Sequence, residues 1–518
     1  MTLLSNYKAY WRKLCLYIRI LFFPDTIRTL VYAEWVTPYL VTSTFEYFPG
    51  VPIYKSRNLI NWKLIGHCLT RDSQLPLQNC RVSGGIYAPT IRYHDGVFFM
   101  VTTNVTSKGN FIVHAKDPAG EWSEPAWVKQ RGIDPSLLFE DGKVYFVSTG
   151  DCEGNRGIYL CEVNPFTGEM LTESVWISEG CGGRFPEAPH LYKIKDIYYL
   201  LLAEGGTEYG HMVTLQRSSS IYGPYESCPY NPILSHKDEE SMDIVCTGHA
   251  DIVEDPNGNW WLTALGVRTL SYDNSSIMLH NLGRETFLAP MNWREDGWPV
   301  VGNNGRFALA MEGDLPGRTE EVATGFTEYF NGKRWNLEFA HIRNPYMENY
   351  SLDSNHRSLH LKGTDIQLST ENGHPTFLGA RQTAFEQSVK VTMIANGTEE
   401  DMAAGLTAFY NNEHHYEIMV CRKNGKKCIA VRKQIYDFGA ITKYQEIEEG
   451  KAINLKIKAD KEYYRLSYQI GEQPYHLLDQ GTTAALSTEI TRRMTFTGTF
   501  FGMFAENTEV VFQLFELK

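Results

Sequence analysis

Residues 87–103 have the sequence YAPTIRYHDGVFFMVTT, in which a short strand and an aromatic strand flank an Asp-Gly pair. Asp-Gly between two apolar runs is among the strongest hairpin signals. The pattern returns three times, as DPSLLFEDGKVYFVSTG from Asp134, EAPHLYKIKDIYYLLLAEGG from Glu187 and HADIVEDPNGNWWLTALG from His249. In every copy the first residue stands twelve positions before an aromatic residue of the second strand. The chain is therefore a repeat of one hairpin unit.

The distance between copies predicts the architecture. Successive copies begin 47, 53 and 62 residues apart, which suits four-stranded propeller blades with outer strands of variable length. Segments 56–66, 115–128 and 218–234 are the expected outer strands, and YLVTSTF from Tyr39 opens a fifth copy. We predict an all-β fold with a five-bladed β-propeller over residues 39–315.

Equivalent positions on the inner strands of a propeller face one central axis. Tyr87, Asp134, Glu187 and His249 are equivalent by the repeat, so we expect them around one funnel. An acidic residue taken at random more often caps a turn or pairs with a surface arginine. Two carboxylates at matched repeat positions instead favour a general acid and its partner.

Composition excludes several classes of function. The 518 residues carry 49 basic and 61 acidic side chains, and this net charge of −12 argues against a protein that binds nucleic acid through phosphates. No apolar run is long enough for a membrane-spanning helix. Ten scattered cysteines favour reduced thiols, and we expect a cytoplasmic protein.

A second domain follows the propeller. From about residue 325 the chain alternates apolar and polar residues in short runs, such as VKVTMIA (389–395) and NLKIKAD (454–460). Asn424-Gly425 marks a hairpin between two of these runs. We predict a β-sandwich of the concanavalin or jelly-roll type over residues 325–518.

The motifs resemble glycoside hydrolase family 43, in particular its β-xylosidases and α-L-arabinofuranosidases with a C-terminal β-sandwich. The matching runs lie in the family's order along most of the chain. They are TSTFEYFPGVPIYKSRNLINW (42–62), SGGIYAPTIRYHDG (83–96), IDPSLLFEDG (133–142), PEAPHLYKI (186–194), AEGGTEYGHMVT (203–214), CTGHADIVEDPNGNWW (246–261) and NLGRETFLAPMNWREDGWPV (281–300).

The resemblance implies a hydrolysis that inverts the anomeric configuration. Glu187 matches the general acid, and Asp134 matches the residue that raises the pKa of that acid and orients it. Sugar-binding roles are implied for Phe45, Tyr87, His249, Arg268 and Phe500. The resemblance requires no cofactor and makes none of these residues a metal ligand. A histidine at the position of His249 orders a metal or a water in some members, so a structural calcium ion is an open expectation there.

The general base of the family belongs to an NPDPS motif on the first blade, and this sequence lacks it. The repeat places the base at Ile27, and no carboxylate occupies residues 27–31. Asp25 follows a proline but stands two residues away from that position. Shifted by two bases, codons permitted for residues 19–36 can encode NPILPGYNPDPSICRVGD, a family-like motif. Our hypothesis is that residues 1–38 are translated out of frame.

Two classes of function follow. The first is an exo-glycosidase that removes terminal xylosyl or arabinofuranosyl residues from xylo- or arabino-oligosaccharides and is impaired by the lost base. The second is a catalytically inactive, sugar-binding propeller. A fructosidase-like propeller fits the IDPS and PEAPH motifs less well. The sequence does not decide between xylose and arabinose as the substrate sugar. It also leaves the oligomeric state open, and a homo-oligomer is one expectation.

Overall fold

The computed structural model describes residues 29–33, 37–152, 154–238, 243–270, 278–318 and 325–518. Over these ranges the chain is built of β-strands, with three short 3₁₀ helices at Met347–Asn349, Thr483–Leu486 and Thr488–Ile490. None of the helices in these ranges is long and apolar enough to cross a membrane. The prediction of an all-β chain is confirmed.

The N-terminal half of the described chain forms five antiparallel sheets, here called blades 1 to 5. Blade 1 contains Thr29–Ala33, Thr37–Val41, Gly50–Ser56 and Trp62–Leu69. Blade 2 contains Thr90–His94, Val97–Asn104, Gly109–Ala115 and Ala126–Trp127. Blade 3 contains Ile133–Glu140, Lys143–Cys152, Asn155–Glu162 and Val175–Ser178. Blade 4 contains Glu187–Ile194, Ile197–Glu204, Met212–Ser218, Glu226–Ser227 and Leu234–Ser235. Blade 5 contains Ile244–Glu254, Trp260–Arg268, Glu285–Trp293 and Pro299–Val301.

The first strands of these blades contact one another in sequence, and the first strand of blade 5 contacts that of blade 1. The sheets therefore close into a ring with their first strands innermost, as a propeller requires. The turns follow the sequence signals: Asp95-Gly96 and Asp141-Gly142 both hold two successive residues at positive φ, as a tight hairpin demands.

Blade 1 begins before the predicted boundary at residue 39. Its first strand, Thr29–Ala33, pairs antiparallel with Thr37–Val41, and Val31 lies opposite Tyr39. In the other blades the axial residue precedes the equivalent paired residue by three to five positions. The axial position that the repeat predicts for blade 1, Ile27, lies outside the described residues.

Two packed sheets form the C-terminal domain. The larger sheet contains Phe326–Glu328, Tyr350–Asp353, Ser358–Lys362, Gln387–Ala395, Ile453–Ala459, Tyr463–Ile470, His476–Thr482 and Glu509–Leu517. The second contains Thr376–Arg381, Ala403–Asn411, His414–Lys423, Lys426–Ile435, Phe438–Glu446 and Phe500–Glu506. Alternate residues of Gln387–Ala395 are buried, because one face of this strand packs on the core between the sheets.

The two domains are joined through backbone pairing as well as side chains. Tyr47–Phe48, between the second and third strands of blade 1, pairs with His341–Ile342 of the second domain. A second junction brings residues 496–499 of the sandwich against residues 281–284 of the propeller. This second junction positions part of the candidate active site.

Candidate active site

Local irregularities in the inner strands aim three predicted site residues at the axis. The strand register shifts between Ile133 and Ser136, between Glu187 and His190, and on both sides of Gly248. Asp134 and His249 adopt positive φ angles of 55° and 50°. A non-glycine residue in this conformation costs about 1–3 kcal/mol, so the surrounding structure must hold it. Such bulges commonly re-aim side chains beside active sites.

Asp134 and Glu187 form a coupled carboxyl pair. Asp134 is buried, accepts a hydrogen bond from the Ala188 backbone N–H, and its Oδ1 has no hydrogen-bond partner among the described residues. Burial raises the pKa of Asp134, and repulsion from Glu187 raises it further. Burial also raises the pKa of Glu187. Two negative charges this close repel each other, so ionising both groups costs free energy. The pair therefore retains a proton at a pH where free carboxyls would lose theirs.

Arg284 is the positive charge of this site. Its guanidinium is buried, lies 3.8 Å from the centre of the Phe496 ring, and donates a hydrogen bond to the Thr207 hydroxyl. Burial lowers the pKa of Arg284 to about 10, so it remains charged at neutral pH. Its charge lowers the pKa of both Asp134 and Glu187. Arg284 thus limits how far burial raises the pKa of the acid.

Three aromatic rings line the same space. Phe45 is buried and lies 5.7 Å from the Tyr87 ring and 5.2 Å from the Phe496 ring, centre to centre. Tyr87 also feels the charges of Asp134 and Arg284, and burial raises the pKa of its hydroxyl. Phe45 and Tyr87 therefore lie where the sequence analysis expected them, beside the carboxyl pair. Aromatic faces next to polar groups suit the apolar faces and hydroxyls of a sugar.

Phe496 reaches the propeller because the chain is pinned on both sides of it. Its backbone N–H donates to Ser83 Oγ at 2.9 Å, and its carbonyl accepts from the Arg284 backbone N–H at 3.3 Å. Gly283 and Gly498 allow this approach: a Cβ on Gly283 would lie 2.5 Å from the Gly498 nitrogen. The sandwich thus supplies one wall of the site.

His249 lies beside Asp134, with its Nδ1 4.0 Å from Asp134 Oδ2. Burial is the main reason that the pKa of His249 lies well below its ordinary value, and the nearby His190, His211 and Arg284 lower it further. The imidazole is therefore neutral. Calcium prefers six to eight oxygen ligands. These surroundings offer mainly nitrogen atoms, and no cluster of three metal-ligating side chains occurs within the described ranges. The residues around His249 do not fit calcium, and no step of the proposed chemistry depends on a metal.

Two predicted site residues are located elsewhere. Arg268 pairs with the buried Glu285 through bonds of 2.7 and 2.9 Å, and its guanidinium lies 5.1 Å from the Phe385 ring of the sandwich. Phe500 is buried and stacks on Tyr47 at 4.1 Å between ring centres. Both residues join the domains. The arginine and the sandwich aromatic beside the carboxyl pair are Arg284 and Phe496.

The sequence contained signals for both missed residues. Arg284 lies in the quoted run NLGRETFLAP, but the hairpin repeat covers only the first two strands of each blade, and Arg284 precedes a third strand. Phe496 and Phe500 both occur in FTGTFFG. Only the close approach of Gly283 and Gly498 selects Phe496. Thr207, in TEYG, gave no signal of its own.

Comparison with known proteins assigns the chain. Residues 25–299 match the family model described as Glycosyl hydrolases family 43. The chain belongs to this family. Residues 327–517 match the Beta xylosidase C-terminal Concanavalin A-like domain, which agrees with the sandwich. The family model thus starts at Asp25, before the first described strand.

Relatives match almost the whole length of the family 43 chain. A non-reducing end α-L-arabinofuranosidase of Bacteroides ovatus is 40% identical over 475 residues, 90% of this chain and 87% of the relative. A β-xylosidase of Bacillus subtilis is 31% identical over 497 residues, 91% and 92% of the two chains. The solved structure of "Bacteroides ovatus Xyloglucan PUL GH43B" has a TM-score of 0.89 at 37% identity, covering 96% of this chain and 98% of that one. The chain is a glycosidase by family, and its substrate is a glycan.

Replacing Arg284 with Ala tests its influence on the acid. We expect kcat/KM to fall about 100-fold, because one charged hydrogen-bond donor to substrate is worth about 1.5–3 kcal/mol. The pKa of Glu187 should also rise, since Arg284 lowers it. Because the acid works only while protonated, the basic limb of the pH–rate profile should move to higher pH. A profile with an unmoved basic limb would contradict this placement.

Replacing Arg268 with Ala tests the corrected role of that residue. It leaves the fully buried Glu285 carboxylate without its bidentate partner, and breaking a buried pair costs about 3–5 kcal/mol of unfolding free energy. We expect a lower midpoint in urea unfolding while the basic limb of the pH–rate profile stays in place. A loss of activity with unchanged stability would instead show that Arg268 binds the sugar, as the sequence analysis expected.

Proposed function

We propose that the chain contains the active site of an exo-acting pentosidase. This site accepts the terminal xylosyl or arabinofuranosyl residue of xylo- or arabino-oligosaccharides. The observation that carries this proposal is the carboxyl pair of Asp134 and Glu187 under one buried arginine and three aromatic rings. The names of the relatives, which include arabinofuranosidases and β-xylosidases, support the choice of pentose.

Each residue has a task in the proposed reaction. Glu187, kept protonated by burial, gives its proton to the glycosidic oxygen as the bond to the anomeric carbon breaks. Asp134, coupled to it and hydrogen-bonded to the Ala188 backbone N–H, orients the acid. Arg284 and the rings bind the sugar. These roles account for departure of the leaving group.

Activation of water is the step this sequence does not provide. Inversion requires a second carboxylate about 6.5–9.5 Å from the acid, with a water between them. The repeat predicts that position at Ile27, and residues 27–31 include no carboxylate. We therefore propose impaired turnover with intact sugar binding, in a chain that needs no cofactor. A cytoplasmic location and a homo-oligomer also stay predictions.

The experiment compares hydrolysis and binding on the same ligands. Nitrophenyl β-xyloside, nitrophenyl α-L-arabinofuranoside and xylobiose are incubated with the full chain and with its Glu187→Gln variant. Slow release of pentose that Glu187→Gln abolishes supports the enzyme. Binding without any release supports the alternative, a sugar-binding propeller. Neither binding nor release of either pentoside rejects the proposal.

A further inference from the structure

An exposed aromatic ring held between two arginines lies beside the acid. Phe185 is 38% exposed, and the Arg184 and Arg156 guanidinium carbons lie 4.8 and 4.9 Å from its centre. All three side chains are on the surface. The two positive charges are thus at most about 10 Å apart, roughly the distance over which physiological salt screens them.

These two arginines differ from Arg71 and Arg217, two half-buried arginines of this acidic protein. Arg71 and Arg217 form ion pairs with neighbouring glutamates. Neither Arg156 nor Arg184 forms an ion pair with any residue that the structure describes. Two like charges on one ring repel each other, and that repulsion is relieved when an anion binds to both. The arrangement therefore presents an exposed aromatic ring flanked by two positive charges.

The chain connects this cluster directly to Glu187. Phe185 precedes Glu187 by two residues, and the Arg184 carbonyl accepts a hydrogen bond from the Gly205 N–H at 2.7 Å. A Cβ on Gly206 would lie 3.5 Å from the Phe185 ring, so the ring rests on this turn. Arg156 acts on the acid itself, because its charge lowers the pKa of Glu187.

The position of the cluster relative to the acid determines which part of a glycan it meets. In the proposed function the terminal sugar binds beside Phe45 and Arg284, which are both buried. Glu187 protonates the oxygen that links this sugar to the rest of the chain. The remaining sugars extend from Glu187 away from the buried residues, and Phe185 and the two arginines are exposed beside Glu187.

We propose that Arg156, Phe185 and Arg184 form a subsite for the leaving-group side of the glycan, with a preference for an oligosaccharide that carries a uronic acid. The ring stacks on a sugar face, and the guanidiniums bind the carboxylate. Guanidinium groups match carboxylates in geometry and keep their charge at all relevant pH values. This inference rests on the proposed function, since it assigns a leaving group to the same site.

The test measures binding, so that it does not depend on turnover. Xylotriose with a glucuronic acid branch is titrated calorimetrically into the Glu187→Gln chain, alongside the methyl ester of the same branch, which has no charge, and unsubstituted xylotriose. We expect the acid to bind about 10-fold more tightly than the ester at low salt. In a chain that also carries Arg156→Ala and Arg184→Ala, the ratio should fall below about 2.

Arg294→Ala is the matched control, because Arg294 is also an exposed arginine over an exposed ring, that of Tyr230. It should preserve the 10-fold ratio. Unchanged binding of the ester to the double arginine variant shows that this variant is folded. Equal binding of acid and ester overturns the inference alone, as does a preference that survives loss of both arginines. Failure of all three ligands to bind overturns the proposed function as well.

Discussion

Replacing residues 19–36 with NPILPGYNPDPSICRVGD is expected to raise kcat on xylobiose by about 10²–10⁴-fold. That is the usual contribution of a positioned general base. The replacement restores the motif that the shifted codons can encode, and it places an aspartate at position 28, next to the position that the repeat predicts for the base. A carboxylate there would draw a proton from water as it attacks the anomeric carbon. KM should change little, because the sugar-binding residues are unaltered.

Two controls separate the carboxylate from the rest of the segment. The same replacement with Asn in place of the aspartate of PDPS keeps the shape of the motif and should show no gain. The single change Arg28→Asp should recover part of the gain, with Arg28→Asn as its neutral counterpart. If the Asn version is as active as the Asp version, the missing base does not explain the impairment. Sequencing of the gene across codons 19–38 tests the frame hypothesis itself.

Replacing Glu187 with Gln is expected to lower the hydrolysis of xylobiose by about 10²–10⁴-fold. Glutamine keeps the size of the side chain but cannot donate a proton to the leaving oxygen. The loss should depend on the leaving group: a dinitrophenyl pentoside, whose phenolate leaves without a proton, should lose far less. Rates on the two substrates, measured for both chains, give this comparison.

The carboxyl pair adds a second expectation for Glu187→Gln. Repulsion from Glu187 helps to raise the pKa of Asp134, so removing that charge should let Asp134 ionise at lower pH. Asp134→Asn is the companion variant, and its pH–rate profile is measured beside that of Glu187→Gln. Equal losses on both substrates would mean that Glu187 positions the sugar and does not protonate the leaving group.

The hairpin repeat explains why so much of the fold could be predicted. Asp-Gly turns and alternating strands are local signals, and they located the inner strands that carry Asp134, Glu187 and His249. Phe45 and Tyr87 followed from motifs close to these strands. The strand Thr29–Ala33 was not expected, because TLVYA has no turn signal of the kind seen in the later blades.

The rest of the site depends on contacts that are distant in sequence. Arg284 and Phe496 meet only because Gly283 and Gly498 let two loops from different domains approach closely. Arg268 and Phe500 occur in similar local patterns but satisfy Glu285 and Tyr47. Nothing in either local sequence distinguishes the residue that faces the sugar from the one that joins the domains.

The central claim is that this family 43 site retains its acid but lacks the group that activates water. Azide tests it most directly, because azide attacks carbon as an anion and needs no base. Dinitrophenyl β-xyloside is incubated with the full chain, with and without azide, and the products are identified by proton NMR. The account predicts that azide accelerates turnover and yields α-xylosyl azide, the inverted product. Rapid hydrolysis to α-xylose that azide does not accelerate would contradict it.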